Sequence, residues 1–155
     1  MNYKGILFFL GIYSLFISFF SFLNILYSIY FNYLLDVNSY SSCLVISLSL
    51  GSFFIFLGYQ KIKNISLLDQ IVLIILSFLF IPLLISIPYF FSSYNISFIN
   101  SYFESISGFT ATGFSIFNED IQKINEPLLI WRSSSQWIGG LFFLIAIIGT
   151  LGSKQ

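Results

Sequence analysis

Asn95-Ile-Ser-Phe-Ile-Asn-Ser-Tyr-Phe-Glu-Ser-Ile-Ser-Gly-Phe-Thr-Ala-Thr-Gly113 is the stretch on which the fold turns. It is moderately apolar, too short to cross a bilayer out and back, and it closes in small and hydroxylated residues. A spanning helix needs about 20 mainly apolar residues, so the natural reading is a re-entrant element. Ser97 stands where a helix cap belongs, and a short helix is expected through Ser107, with Gly108 as its C-terminal stop. Thr110-Ala111-Thr112-Gly113 then follows as non-helical backbone.

The flanking sequence supports this reading because charges punctuate long apolar runs. No charge lies between Lys4 and Asp36, which predicts a first span from Gly5 to Phe31. Its length and the lack of a small-residue cleavage site argue against a removed signal peptide. Asp36, Asn38 and a Ser/Tyr cluster read as a polar connection, and Cys43 to Gly58 as a second span. After Gln60, Lys61, Lys63 and Asn64, Ser66-Leu-Leu-Asp69 has capping-box spacing. It opens a third span, Leu67 to Phe91, in which Pro82 and Pro88 predict a bend or an early end. A polar piece from Asn118 to Glu126 leads into Pro127, a favoured first-turn residue, and the last span runs to Gly152. The expected fold class is therefore all-α integral membrane, with four transmembrane helices and one re-entrant pore helix and filter loop between the third and fourth. The expected division is an N-terminal hairpin over 1–64 and a span, pore-helix, span unit over 65–155.

Composition excludes most other classes. Of 155 residues, 57% are apolar and 8% charged, with six basic and six acidic side chains. Soluble domains carry roughly a quarter charged residues, so a water-facing surface cannot be built. With no basic cluster there is no electrostatic basis for nucleic-acid binding. Histidine is absent and Cys43 is the single cysteine, which removes any internal disulfide, the usual zinc and haem ligands, and triad chemistry. An intramembrane enzyme is a poor reading, because the spans carry no paired acids.

Lys4, Lys61, Lys63 and Lys154 fall on one side of this topology and Lys123 and Arg132 on the other. The excess of basic residues marks the cytoplasmic side, so the N-terminus is expected inside and the loop to enter from outside. Asp36, Glu104, Glu119, Asp120 and Glu126 give the outer side a mildly acidic character.

Non-helical backbone at membrane depth is tolerated only where protein buries it or where it lines a water-filled cavity. A helix ending near Gly108 turns its partly negative end towards the loop, a polarity that favours cations. Successive carbonyls from Thr110 to Phe114 can replace water around a cation if Gly113 permits the turn. Glu104 and Arg132 can pair behind the loop, or Arg132 can snorkel to the interface. Trp131 and Trp137 read most simply as interface anchors, Gly139-Gly140 as a close-packing site, and Cys43 as a small buried hydrophobe.

Two runs, Phe103-Glu-Ser-Ile-Ser-Gly-Phe-Thr-Ala-Thr-Gly113 and Trp131-Arg-Ser-Ser-Ser-Gln-Trp-Ile-Gly-Gly140, together resemble the Trk/Ktr/HKT superfamily of potassium transporters. The likeness is to the first pore repeat of the Trk-type membrane subunit, preceded by its extra N-terminal hairpin. In that family four such repeats surround one pathway. The resemblance implies that Ala111 and Thr112 place backbone carbonyls on transported potassium, with Thr110 and Phe114 flanking, Gly113 as the filter glycine, and Glu104, Gly108 and Arg132 in support. Ala111 stands where many members have Thr. The resemblance further implies an inner-membrane location, a dimeric assembly and a cytoplasmic nucleotide-binding regulatory subunit of the Trk type.

One repeat supplies a quarter of a filter. The expectation is a piece of a longer or split potassium uptake subunit, in preference to several copies around one axis. The alternative from another class is a small, non-transporting membrane interaction protein associating through its Gly-containing last helix.

Overall fold

The computed structural model describes residues 1–59, 66–117 and 124–152. They form five helices: α1 (Tyr3–Tyr30), α2 (Leu34–Gly58), α3 (Leu67–Phe90), the short α4 (Phe98–Phe109) and α5 (Glu126–Gly152). Among the described residues there is no strand. All but α4 are long and apolar enough to cross a membrane.

Local chemistry fixes the starts. The Asn2 side chain accepts the Gly5 N–H at 3.0 Å and caps α1. The predicted capping box is present at α3: Asp69 N–H donates to Ser66 Oγ, and Ser66 N–H donates to the Asp69 carboxylate. Asp69 also accepts the Asn2 N–H at 2.8 Å, which ties the start of α1 to the start of α3.

At α2 the helix begins at Leu34, well before the expected Cys43. The Asp36/Ser39/Tyr40 cluster is buried rather than looped into water. Asp36 sits in the first turn, where a carboxylate suits the helix dipole, and accepts the Asn125 amide at 2.5 Å. Ser39 donates to the Phe91 carbonyl at 2.7 Å, and Ser21 to the Tyr40 carbonyl at 2.7 Å. Polarity here marked an internal seam, which hydropathy alone cannot tell from a loop.

α1 and α2 pack chiefly against each other. A Cβ on Gly11 would lie 2.8 Å from the Gly51 carbonyl, and one on Gly58 2.5 Å from the Lys4 carbonyl, so the backbones meet where glycine permits. Ser14, Ser18, Ser21, Asn24 and Ser28 line the buried face of α1. Cys43 is buried and donates to the Leu84 carbonyl at 3.4 Å. α3 runs through Pro82 and Pro88 to Phe90, so the expected early end does not occur.

The four long helices alternate in direction. Tyr27 donates to Glu126 at 3.0 Å and the Asn125 N–H donates to Tyr94 at 2.7 Å, so the end of α1 and the stretches after α3 and before α5 meet at one end. Trp131 is no interface anchor: it is 1% exposed, packs on Tyr40 and donates its indole N–H to the Ile85 carbonyl at 3.0 Å. Lys61, Lys63, Glu119, Asp120, Lys123 and Lys154, together with Gln60 and Asn64, lie outside the described residues.

Candidate functional site: a half-length helix and an exposed carbonyl run

Ser97 caps α4 by accepting the Asn100 N–H at 3.3 Å, as its sequence predicts. From there α4 descends between α3 and α5. Tyr102 donates to the Leu79 carbonyl at 3.0 Å, and Phe109 packs against Phe78 and Phe142 with ring centroids 5.6 and 5.4 Å apart. The end of α4 presses on Gly139, where a Cβ would lie 1.7 Å from the Phe109 carbonyl oxygen. Gly139 is midway between Glu126 and Gly152, about 20 Å along α5 at 1.5 Å per residue. The close-packing role expected at the glycine pair belongs to Gly139, since nothing approaches Gly140 within 4 Å.

The helix does not stop at Gly108. That residue lies inside α4 against Ser135, and the helix continues to Phe109 with Thr110 as its C-cap. The termination is a Schellman arrangement. The Ala111 N–H donates to Gly108 O at 3.0 Å, the Thr112 N–H donates to Ser107 O at 3.1 Å, and Ala111 itself has φ 55°. An L-residue holds the left-handed position that glycine usually takes, which is why the sequence pointed to Gly108. Gly113 follows with φ 82°, as its expected conformational role requires.

Accounting for each backbone acceptor isolates a short run. Ile106 O accepts both the N–H and the hydroxyl of Thr110, at 2.8 Å each. Ser107 O and Gly108 O are taken by the cap, and Phe109 O faces Gly139. Phe114 O accepts the Ser107 hydroxyl at 2.5 Å and Arg132 Nη2 at 3.3 Å. Between these, no hydrogen bond among the described residues reaches the carbonyls of Thr110, Ala111, Thr112 or Gly113, and all four residues are exposed. The side chains brace one another instead: Thr112 Oγ1 lies 3.2 Å from Ser107 Oγ and 3.4 Å from Thr110 Oγ1.

Behind the run stands a buried ion pair. Arg132 Nε lies 2.6 Å from Glu104 Oε1, with the side chains 15% and 0% exposed. Arg132 therefore does not snorkel. Glu104 also accepts the Ser115 hydroxyl at 3.1 Å and the Ile116 N–H at 2.9 Å. One carboxylate thus fastens the chain leaving the loop while the same arginine holds the Phe114 carbonyl. Charge-assisted bonds are the strong ones, and a carboxylate with this many donors is a rigid anchor. Sequence reasoning missed Ser107 and Ser115, whose hydroxyls complete the brace, because single serines carry no spacing signal. Among the described residues no group of three His, Cys, Asp or Glu side chains could hold a metal ion.

No protein-family model matches the chain, and no solved structure matches it. Curated proteins do. The chain is 29% identical over 143 residues to an uncharacterized cation transporter of Methanocaldococcus jannaschii, covering 92% of this chain and 29% of that protein. It is 32% identical over 83 residues to the Trk system potassium uptake protein TrkI of Halomonas elongata, covering 54% of this chain and 17% of that one. The likeness to TrkG of Escherichia coli is 27% over 84 residues, again 54% and 17%. The chain spans less than a third of the length of each of these relatives. Four long apolar helices and these relatives make it a multi-pass membrane protein, related by sequence to the Trk-type transporters.

Proposed function

We propose that this chain contributes one repeat, a quarter of a carbonyl-lined selectivity filter, to a potassium uptake pathway of the Trk type. The observation that carries the reading is the run of four exposed residues, Thr110 to Gly113, whose carbonyls accept no hydrogen bond among the described residues and which is bounded on both sides by engaged carbonyls. Such oxygens can replace the hydration shell of a monovalent cation. The partly negative end of α4 points towards the same place and adds to the attraction. Phe114 contributes position rather than an oxygen, since its carbonyl is held by Ser107 and Arg132.

In this reading α4 is a re-entrant pore helix, entering from the outer side and turning at mid-membrane. The division is a hairpin over 1–64 and a pore repeat over 65–155. The N-terminus faces the cytoplasm of the inner membrane. Arg132 is bound inside the repeat and so drops out of the loop charge balance, which strengthens the positive-inside assignment. Other repeats, or further copies, complete the ring, and a cytoplasmic nucleotide-binding subunit regulates it, as the Trk resemblance implies. Named relatives that are transporters favour this over an enzyme.

The test joins the whole chain to the remainder of E. coli TrkG in place of the segment it matches, in cells lacking their own potassium uptake. Growth on low potassium is expected, and Gly113→Asp is expected to abolish it at unchanged protein level. Equal growth of the two versions would overturn the reading and favour the non-transporting interaction protein.

A further inference from the structure

With 28 residues, α1 is about 42 Å long, the thickness of a bilayer together with its headgroups. Lys4, in the first turn, therefore stands at headgroup level, and it is exposed. Gly58 lets α2 close on the Lys4 carbonyl, which sets Tyr59, 70% exposed, beside the lysine. From this pair a groove follows the seam of the hairpin inwards. Lys4 and Tyr59 line its mouth, Ile55 and Phe56 its wall, and Leu15 and Ser52 its inner end. Leu15 lies eleven residues beyond Lys4, which is about 16 Å along the helix. Half of a hydrocarbon core is about 15 Å, so the groove has the depth of one leaflet.

The cation at the mouth is not neutralised by the protein around it. Lys4 makes no ion pair or hydrogen bond among the described residues. Asp69, at the same end, is engaged by the Asn2 N–H and by the N–H and hydroxyl of Ser66. In the sequence no acid precedes Asp36 and none falls between Asp36 and Asp69, whereas Lys61 and Lys63 follow Tyr59 within four residues. A largely apolar trough one leaflet deep, with an uncompensated positive charge at its headgroup end, is complementary to an amphiphile with an anionic head. We propose that the α1/α2 hairpin binds an anionic phospholipid, with one acyl chain in the groove and the phosphate on the Lys4 ammonium and the Tyr59 hydroxyl. The ammonium offers three donors and the phenol one, and Leu15, Ile55 and Phe56 offer the chain its apolar contacts. The site needs only the membrane-spanning fold and is independent of the pore reading. The leaflet, the cytoplasmic one, follows from the proposed orientation of the N-terminus, and its anionic lipids are the ones a juxtamembrane lysine attracts.

The experiment places the purified chain in phosphatidylcholine vesicles doped with either phosphatidylglycerol or phosphatidylcholine that carries a photoreactive diazirine midway along one acyl chain. After illumination, adducts are mapped by peptide mass spectrometry. Adducts on residues 52–59 are expected to be about fivefold more abundant with the anionic lipid, the preference that one lysine gives. Lys4→Gln is expected to bring the ratio of the two lipids close to one, and Lys4→Arg to keep it. Lys4 is exposed and without a hydrogen bond among the described residues, so neither change disturbs the packing. Equal labelling by the two lipids in the unaltered chain means ordinary lipid contact and overturns the proposal. Adducts on other exposed faces with none on 52–59 mean that protein covers the groove, which also overturns it. Ser52→Phe fills the inner end with Lys4 intact and is expected to lower the anionic adducts at least threefold; undiminished labelling would remove the acyl seat.

Discussion

Ala111 occupies a left-handed position at the end of α4, which costs an L-residue about 1 kcal/mol relative to glycine. Ala111→Gly is expected to raise the thermal unfolding midpoint of the detergent-solubilised chain, and Ala111→Val to lower it. Glu104 and Arg132 show the opposite balance. Removing Arg132 leaves the fully buried Glu104 carboxylate without its counter-charge, so Arg132→Ala is expected to cost about 3–5 kcal/mol, and the Glu104→Ala/Arg132→Ala double variant less than the sum of the singles. A double-mutant cycle on unfolding free energies checks this, and additive costs would remove the pair as the anchor of the loop. The sequence offered both residues but not their other partners. That Glu104 would also collect Ser115 and the Ile116 N–H depends on how the chain returns from Gly113, and no local spacing encodes it.

The α4–α5 contact is where single methyl groups decide the packing. A methyl at Gly139 would collide with the Phe109 backbone, which cannot swing aside, so Gly139→Ala is expected to displace α4 and abolish uptake in the TrkG fusion. At Gly108 the obstacle is the Ser135 hydroxyl, which a methyl there would strike. A hydroxyl can rotate or be deleted, so Gly108→Ala is expected to be the milder change, rescued by Ser135→Ala. Uptake and unfolding midpoints of the three variants test the ranking. The two glycines look alike in the sequence. Only the approach of a second helix separates one that meets immovable backbone from one that meets a side chain.

For the molecule as a whole, the two ends are fastened differently. The Asn2 N–H on Asp69 ties α1 to α3 at one end, whereas Asp36, Asn125, Tyr94, Tyr27 and Glu126 form a cluster at the other. Asn125→Ala removes the Asp36 partner and the side chain that accepts the Leu128 N–H at 3.3 Å. The expected cost is about 1–3 kcal/mol, the penalty of leaving a buried polar group unpaired. Hydrogen exchange at the start of α5 should rise while the Gly139 region stays protected; uniform loosening would show that the cluster does not act locally. The proposed cytoplasmic N-terminus predicts that a cysteine placed at Asn2 resists a membrane-impermeant reagent in intact cells and reacts once the membrane is opened.

The sequence alone determined the four long apolar helices, the Ser97 cap, the Ser66/Asp69 box and a glycine needed at 113, because hydropathy, capping and left-handed backbone are local properties. Tertiary structure decided the rest. It drew the polar start of α2 into a buried seam, hid Trp131 while leaving Trp137 exposed at mid-depth, and moved the end of α4 from Gly108 to Phe109, with the left-handed turn at Ala111. It also removed Phe114 from the free carbonyls. Each outcome depends on a neighbour far along the chain: Asn125 for Asp36, Ile85 for Trp131, Gly139 for Phe109, and Arg132 for Phe114. Burial and hydrogen-bond satisfaction are properties of such pairs, and a pair becomes visible only when both of its members are in place.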